Sequence, residues 1–361
     1  MAATTPLAAR TTPRMMILRR NLSLLVTFLI LLVLPFVIAL FDGQSLNGLL
    51  ANEPGASKFI QGFVVEILIF GIYALSYDLI FGITGLLSFG HAMFFAVGAY
   101  LTGILLKNFG LPLWVTLLLV IVAGVLQALL FGIVLPRVKG ITFALVTLGM
   151  AEVFYIVIQT SELSEYTGAD VGLQGVIPPA FVDPSSQHLR LYFIILVLTF
   201  LIYLAFRRFI SSPTGRVCIA IRENEDRALM LGYNTFYFKL AALTLASITA
   251  ALAGFIYTIH QPIVTPDVAS LNFTVSALLM ILIGGVGTLN GALIGAGIFR
   301  ILNFGLTRYF GAASGFLSGA IYVAIVLFLP YGIVGTWKMK RFDIQGGWKR
   351  LLKLFGVKDK V

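Results

Sequence analysis

Ten stretches of this sequence are apolar over a length close to that needed to cross a lipid bilayer, and no other property constrains the fold as tightly. They run over residues 22–41, 59–81, 86–106, 113–135, 141–160, 190–206, 239–260, 271–286, 289–306 and 315–335. A bilayer core about 30 Å thick takes roughly 20 helical residues to cross. Inside it every backbone N–H and C=O must be paired within the protein, which leaves helices or a closed barrel. Runs of this length read as helices. Composition agrees, with 59% hydrophobic residues, 11% charged residues and a mean hydropathy of +0.99. A soluble domain carries about a quarter of its residues charged. The expected fold is all-α: a polytopic integral membrane protein with about ten transmembrane helices.

An even number of spans places both termini on one side, and the basic residues say which. Four lie in an N-terminal arm, residues 1–21 (Arg10, Arg14, Arg19, Arg20). Two lie in the 136–140 turn (Arg137, Lys139), six in 207–239 and eight in the tail 338–361, all on the same side. Only Lys58, Lys107, Arg190 and Arg308 fall on the other, and Arg300 falls inside a span. Cytoplasmic segments collect Lys and Arg, so both termini are expected in the cytoplasm, around a transmembrane domain of residues 22–337. The net charge of +10 follows from this bias and does not point to nucleic acid. The arm has the composition of a transit peptide, but no small-residue cleavage site follows its apolar run, and it reads as an uncleaved cytoplasmic arm. The tail interleaves basic residues with Trp348, Leu351, Leu352, Leu354 and Phe355, the pattern of a short amphipathic helix lying on membrane lipid. The single Cys218 excludes an intramolecular disulfide and suits a reducing, cytosolic setting. On the opposite side, residues 161–189 carry Glu162, Glu165, Asp170 and Asp183 with no Lys or Arg, either as a solvated loop or as a docking surface for a protein partner.

Catalytic and metal-binding chemistry is missing from the pattern. The three histidines, His91, His188 and His260, are far apart, there is no HExxH and no cysteine pair, and no Lys follows a Gly as a phosphate-binding loop requires. No catalytic residue, metal ligand or cofactor site is therefore expected in this chain. If it moves a solute uphill, the energy comes from a partner that hydrolyses ATP or from an ion gradient. Ion-coupled carriers place acids in mid-membrane, and Glu66, Asp78 and Glu152 are the candidates here, each equally readable as a structural charge partnered by another helix.

Two glycine-rich stretches interrupt the apolar runs, GITGLLSFGHAMFFAVGAY (82–100) and GGVGTLNGALIGAGIFR (284–300). They share a spacing: Gly82, Gly85 and Gly90 in one, Gly284, Gly287 and Gly291 in the other. Glycine weakens a helix interior and permits turns and close backbone approach. Paired interruptions of this kind point to broken helices beside a solute path. Ser88 and His91 place polar groups at the first break. Tight helix packing alone would also account for the glycines.

One charged island remains, GRVCIAIRENEDRALMLGY (215–233). Arg222 precedes Glu225 and Asp226 by three and four positions, and Glu223 precedes Arg227 by four, the spacing at which side chains pair on a helix. Val217, Ile221, Leu229 and Leu231, with Ala220 and Ala228, supply an apolar side. A single cytosolic helix over 216–232 is expected, ended by Gly232, with a face suited to a groove on a partner.

Three motifs together resemble one family. Gly215-Arg216 with Ala220-Ile221-Arg222-Glu223-Asn224-Glu225, Ala228 and Leu231-Gly232 is similar to the cytoplasmic signature of branched-chain amino acid ABC-importer permeases, the LivM-like family in particular. Gly85-Leu86-Leu87-Ser88-Phe89-Gly90-His91-Ala92 and Gly284-Gly285-Val286-Gly287-Thr288-Leu289-Asn290-Gly291 match two further motifs, and the resemblance runs through residues 60–335.

The resemblance implies a permease subunit with no ATPase activity of its own, in a bacterial inner (plasma) membrane. It would work with a related LivH-like permease, two ATP-binding subunits that hold ATP and Mg, and a solute-binding protein outside. Residues 211–238 would be its coupling segment, with Arg216, Arg222, Glu223, Glu225 and Gly232 engaging the ATPase, while Gly85, Ser88, Gly90, His91 and Gly287 would line the solute pathway. The implied cargo is leucine, isoleucine or valine. Permeases for urea, short amides and aromatic acids carry nearly the same motifs, and an ion-coupled secondary carrier is the alternative of another class.

Overall fold

The computed structural model describes residues 13–339 apart from 44, 46, 47, 49–51, 54 and 330. The expected amphipathic tail from residue 340 onward, and the first twelve residues of the expected arm, lie outside the described residues. The chain is mostly helical, with a helix at each of the ten apolar runs. Among the described residues six helical stretches are long and apolar enough to cross a membrane, and three more apolar helices are shorter.

The chain divides into two units, one up to Gln61 and one from Gly62. The first contains α1, Pro13–Phe41. This helix starts within the stretch read as the arm, so Arg14, Arg19 and Arg20 belong to it. Pro13 suits a first helical position because its missing N–H would be unpaired there anyway. The same unit includes the start of α2, which spans Ala56–Tyr77. The backbone N–H of Ala56 donates to Asp42 Oδ2 at 3.0 Å, and Ser57 Oγ donates to the Pro35 carbonyl at 3.0 Å.

In the second unit α2 runs into a π-helical turn, Asp78–Ile83. It is followed by α3 (His91–Lys107), α4 (Leu113–Gly132), α5 (Ile141–Ile158) and α6 (His188–Ser211). Two short helices come next, α7 (Pro213–Glu223) and α8 (Glu225–Met230). The remaining helices are α9 (Thr235–His260), α10 (Leu271–Gly284), α11 (Leu289–Phe310), α12 (Ser314–Phe328) and α13 (Gly332–Met339). Two residues of the acidic segment 161–189, Leu173–Gln174 (β1), pair antiparallel with Ile263–Val264 (β2) and anchor that segment on the α9–α10 connection.

The core is built where α3 and α4 pack on α9, and small residues set the distance. A side-chain carbon at Gly254 would collide with the Phe95 carbonyl and stand 2.7 Å from Ala99 N, and one at Gly98 would stand 2.6 Å from Ala251 Cα. Without a hydrophobic drive between helices in lipid, such close contact and interhelical hydrogen bonds hold a bundle together. Thr258 Oγ1 donates to the Ala99 carbonyl at 2.9 Å and Ser247 Oγ to that of Gly124 at 2.7 Å.

Both expected glycine interruptions are real breaks. Residues 84–90 separate the π turn from α3, so the span expected from residue 86 begins at His91. Residues 285–288 separate α10 from α11. With 17 residues in α3 and 14 in α10, neither helix reaches across about 30 Å at 1.5 Å per residue.

The charged island departs from expectation. Its helix begins at Pro213, with Ser212 Oγ accepting from Gly215 N at 3.2 Å, and stops at Asn224 instead of running on to Gly232. Asn224 is extended, and its Oδ1 accepts from Arg227 N at 2.9 Å, so it caps a second helix, α8. This cap competes with helix continuation: Asn offers an N-terminus an acceptor, and Glu225 and Asp226 favour its positive end. The break undoes the expected ion pairs along a single face. Leu229 and Leu231, expected on the apolar buried side, are exposed together with Met230 at 87%. Gly232 does take the left-handed conformation, φ +87, that ends the segment.

Candidate functional site

Arg222, Gly85 and Gly287, drawn from three distant parts of the chain, meet in one junction. The π turn widens α2 at Asp78, which is wholly buried, and aims its carboxylate across the second break. Asp78 Oδ1 accepts from Gly287 N at 2.7 Å. One turn on, the Gly82 carbonyl accepts from Arg222 Nη1, which reaches in from α7. Gly85 and Gly287 both have positive φ, +79 and +76, a conformation that costs other residues roughly 1–2 kcal/mol. Each also lies against Arg222. A side-chain carbon at Gly85 would stand 3.1 Å from Arg222 Cα, and one at Gly287 would stand 2.7 Å from Arg222 Nη1. The junction therefore ties the first break, the second break and the island helix together.

Ser88, Gly90 and His91 lie apart from it in the packed interior. His91 is fully buried, with its ring 5.4 Å from Tyr73, 5.0 Å from Tyr77 and 5.4 Å from Phe94. Its Nε2 is 2.8 Å from Ser76 Oγ, whose single proton goes to the Tyr73 carbonyl at 2.6 Å. His91 therefore donates from Nε2. The α3 N-terminus that starts here gains an acceptor from α10, since Ala92 N donates to Thr274 Oγ1 at 2.9 Å. Ser88 is buried, and at Gly90 a side-chain carbon would collide with the Thr147 carbonyl of α5.

The other island residues divide into anchors and exposed groups. Lys239 donates to Glu225 Oε1, which also accepts from Thr235 Oγ1 at 2.9 Å. Burial pulls the Glu225 carboxyl upward, but the Lys239 ammonium and Thr235 hydroxyl outweigh it and hold the group below its ordinary range. Lys139 and Asp226 make an exposed pair at 3.4 Å. Cys218 lies on the buried side of α7, and burial pushes its thiol up to about 11. Arg216 and Glu223 are exposed. A small pocket lies between the island and the first break, lined by Gly85, Lys139, Arg222, Glu225 and Lys239 among others. Among the described residues no three of His, Cys, Asp and Glu stand together as metal ligands.

Two charged groups that sequence reasoning left apart come together inside the bundle. Arg300 of α11 donates to Glu66 Oε2 of α2, and Gln261 Nε2 donates to Glu66 Oε1 at 2.7 Å. Of the three intramembrane acids, Glu66 is thus partnered across helices, Asp78 is held by Gly287 N, and Glu152 is half-buried on α5. A lone Arg within an apolar run is costly enough to imply an acid partner, which is the signal that could have joined Arg300 to Glu66.

The family described as branched-chain amino acid transport system / permease component matches residues 59–329, three quarters of the chain, with both breaks, the island and the Glu66–Arg300 pair inside it. The chain belongs to this family. Its relatives include the high-affinity branched-chain amino acid transport system permease protein LivM of Escherichia coli strain K12, 28% identical over 74% of this chain and 68% of the relative. The LivM protein of Salmonella typhimurium gives the same figures. LivH of Salmonella typhimurium is 25% identical over 75% of this chain and 93% of its own length. No solved structure matches the chain significantly. Members of this permease family are transport components, and the apolar helices of this one make it a multi-pass membrane protein.

Proposed function

We propose that the chain is the LivM-like permease subunit of an ATP-driven importer for branched-chain amino acids in a bacterial inner membrane. It crosses the membrane about ten times with both ends in the cytoplasm. It pairs with a LivH-like permease, receives solute from an external binding protein, and takes its energy from two ATP-binding subunits. Residues 211–238 form the coupling segment. Its exposed Arg216, Glu223 and Met230 meet the ATPase, Gly232 ends it, and Glu225 anchors it on α9 through Lys239. Gly85 and Gly287 lie at the gate, while Ser88, Gly90 and His91 support the broken helix beside the pathway.

The observation that carries this reading is the position of Arg222: a residue of the cytosolic island touches both glycine breaks. Closure of the ATPase dimer on α7–α8 would pull on the two broken helices together. The test is leucine uptake into proteoliposomes holding the assembled transporter. Uptake that requires ATP and ignores ionophores supports the reading. Uptake that collapses with the ion gradient and proceeds without ATP refutes it in favour of an ion-coupled carrier. Comparing leucine with urea, a short amide and an aromatic acid assigns the cargo.

A further inference from the structure

The structure assigns the Glu66–Arg300–Gln261 cluster as a recognition site for the zwitterionic head of an α-amino acid. The inference rests on the permease reading above and names what the pathway recognises. Glu66 lies ten residues into α2 and Arg300 eleven into α11, so each is about 15 Å from a helix end and deep within the bilayer span. Charges at that depth are costly unless they are paired and face protein or a water-filled space. This pair keeps 26% of the Arg300 side chain and 19% of the Glu66 side chain open at the surface of the chain. Charges left open at that depth are placed toward protein or a water-filled space, where the cost of lipid exposure is avoided. On this proposal the open surface lines the solute path.

The surroundings suit an apolar amino acid. Phe63, Glu66 and Phe70 form one stripe of α2 at three- and four-residue spacing, and Arg300 and Phe304 are four apart on α11. Phe63 packs on Phe304 with ring centroids 5.1 Å apart, and Phe70 on Phe273 at 5.8 Å. The Arg300 guanidinium lies 5.0 Å over the Phe70 ring. The charges thus have an aromatic pair on either side, one turn away, against which an apolar side chain can rest.

Charge balance selects the ligand class. An arriving zwitterion can place its carboxylate on the Arg300 guanidinium, which has two or more donors to offer, and its ammonium on Glu66. One ion pair becomes two, and the site is neutral before and after. A net anion or cation would strand a charge at mid-membrane, which is strongly unfavourable. Gln261 holds Glu66 in place whether or not Arg300 is engaged.

The experiment compares wild type with Glu66→Gln/Arg300→Gln in the full transporter, reading assembly, thermal midpoint and ATP-driven leucine uptake. Removing both charges strands neither, so a pair that only holds helices together would be replaced by the two amides with little loss of uptake. The expected result is an assembled double variant whose leucine uptake falls at least tenfold. Wild-type uptake by that variant overturns the inference. A second variant, Glu66→Asp/Arg300→Lys, keeps both charges but shortens the acid and removes the planar guanidinium. It is expected to assemble and to raise the apparent KM for leucine at least tenfold. An unchanged KM, or failure of both variants to assemble, shows the pair to be a packing element and overturns the site. Absence of ATP-driven leucine uptake by the wild type itself refutes the permease reading for this cargo, and the inference with it.

Discussion

Replacing Asp78 by Ala tests whether the junction transmits movement. The change removes the acceptor that holds Gly287 N at 2.7 Å in a fully buried place, and with it the tie between the π turn and the second break. A hydrogen bond to a charged group contributes about 1.5–3 kcal/mol, and a donor left buried without its acceptor costs a similar amount. At about 1.4 kcal/mol per tenfold, the tied arrangement should lose roughly a tenfold to hundredfold share of its population. The variant also loses a buried carboxylate and its desolvation cost, so folding and assembly should survive. The measurement is ATP hydrolysed per leucine delivered in proteoliposomes. On the proposed coupling this ratio should rise at least tenfold in Asp78→Ala, hydrolysis continuing while the broken helices no longer follow. Asp78→Asn keeps an oxygen in the Oδ1 position and should retain most of the coupling. An assembled Asp78→Ala transporter with the wild-type ratio would refute the mechanical role of the junction.

Four further outcomes follow from the geometry. Gly254→Val drives a branched side chain into the Phe95 carbonyl and should destabilise the chain by about 3 kcal/mol or more, read as a lowered thermal midpoint in detergent. Cys218, buried with its thiol pushed up to about 11, should react with maleimide at pH 7 far more slowly than a free thiol. Arg222→Ala, by loosening α7, should speed that labelling several-fold. The Glu225 carboxyl is held below the ordinary value of a glutamate, so its stabilising contribution is present above that ordinary value and is lost as pH falls through the lower folded-state value. Stability measured from pH 6 down to 3 should fall less steeply in Glu225→Gln than in wild type.

The helices and the two breaks were legible because their signals are local. Apolar runs of helical length located the segments, and clustered glycines located the interruptions. The division of the island was also written locally, since Asn224 followed by Glu225 and Asp226 is an N-terminal cap pattern. The ion-pair spacing across it fitted a continuous helix equally well, and only the observed cap separates the two. The partners of Arg222 and Glu66 were not legible. Gly82 lies 140 residues from Arg222, and Arg300 lies 234 from Glu66. Spacing rules that act over three or four positions say nothing about pairs set by the packing of α2 against α7 and α11. The exposure of Met230 was hidden for a related reason, because an apolar residue beside a helix break can turn outward toward a partner.

The π turn at Asp78–Ile83 carries one surplus residue compared with an α-helical turn. Passing that surplus along α2 would swivel the intervening segment by about 100° and advance it by about 1.5 Å, with each residue exchanging one carbonyl acceptor for the next. Such a screw displacement changes which side chains face the pathway without melting the helix. A defect stored at the C-terminal end of α2 can in this way be felt at its far end.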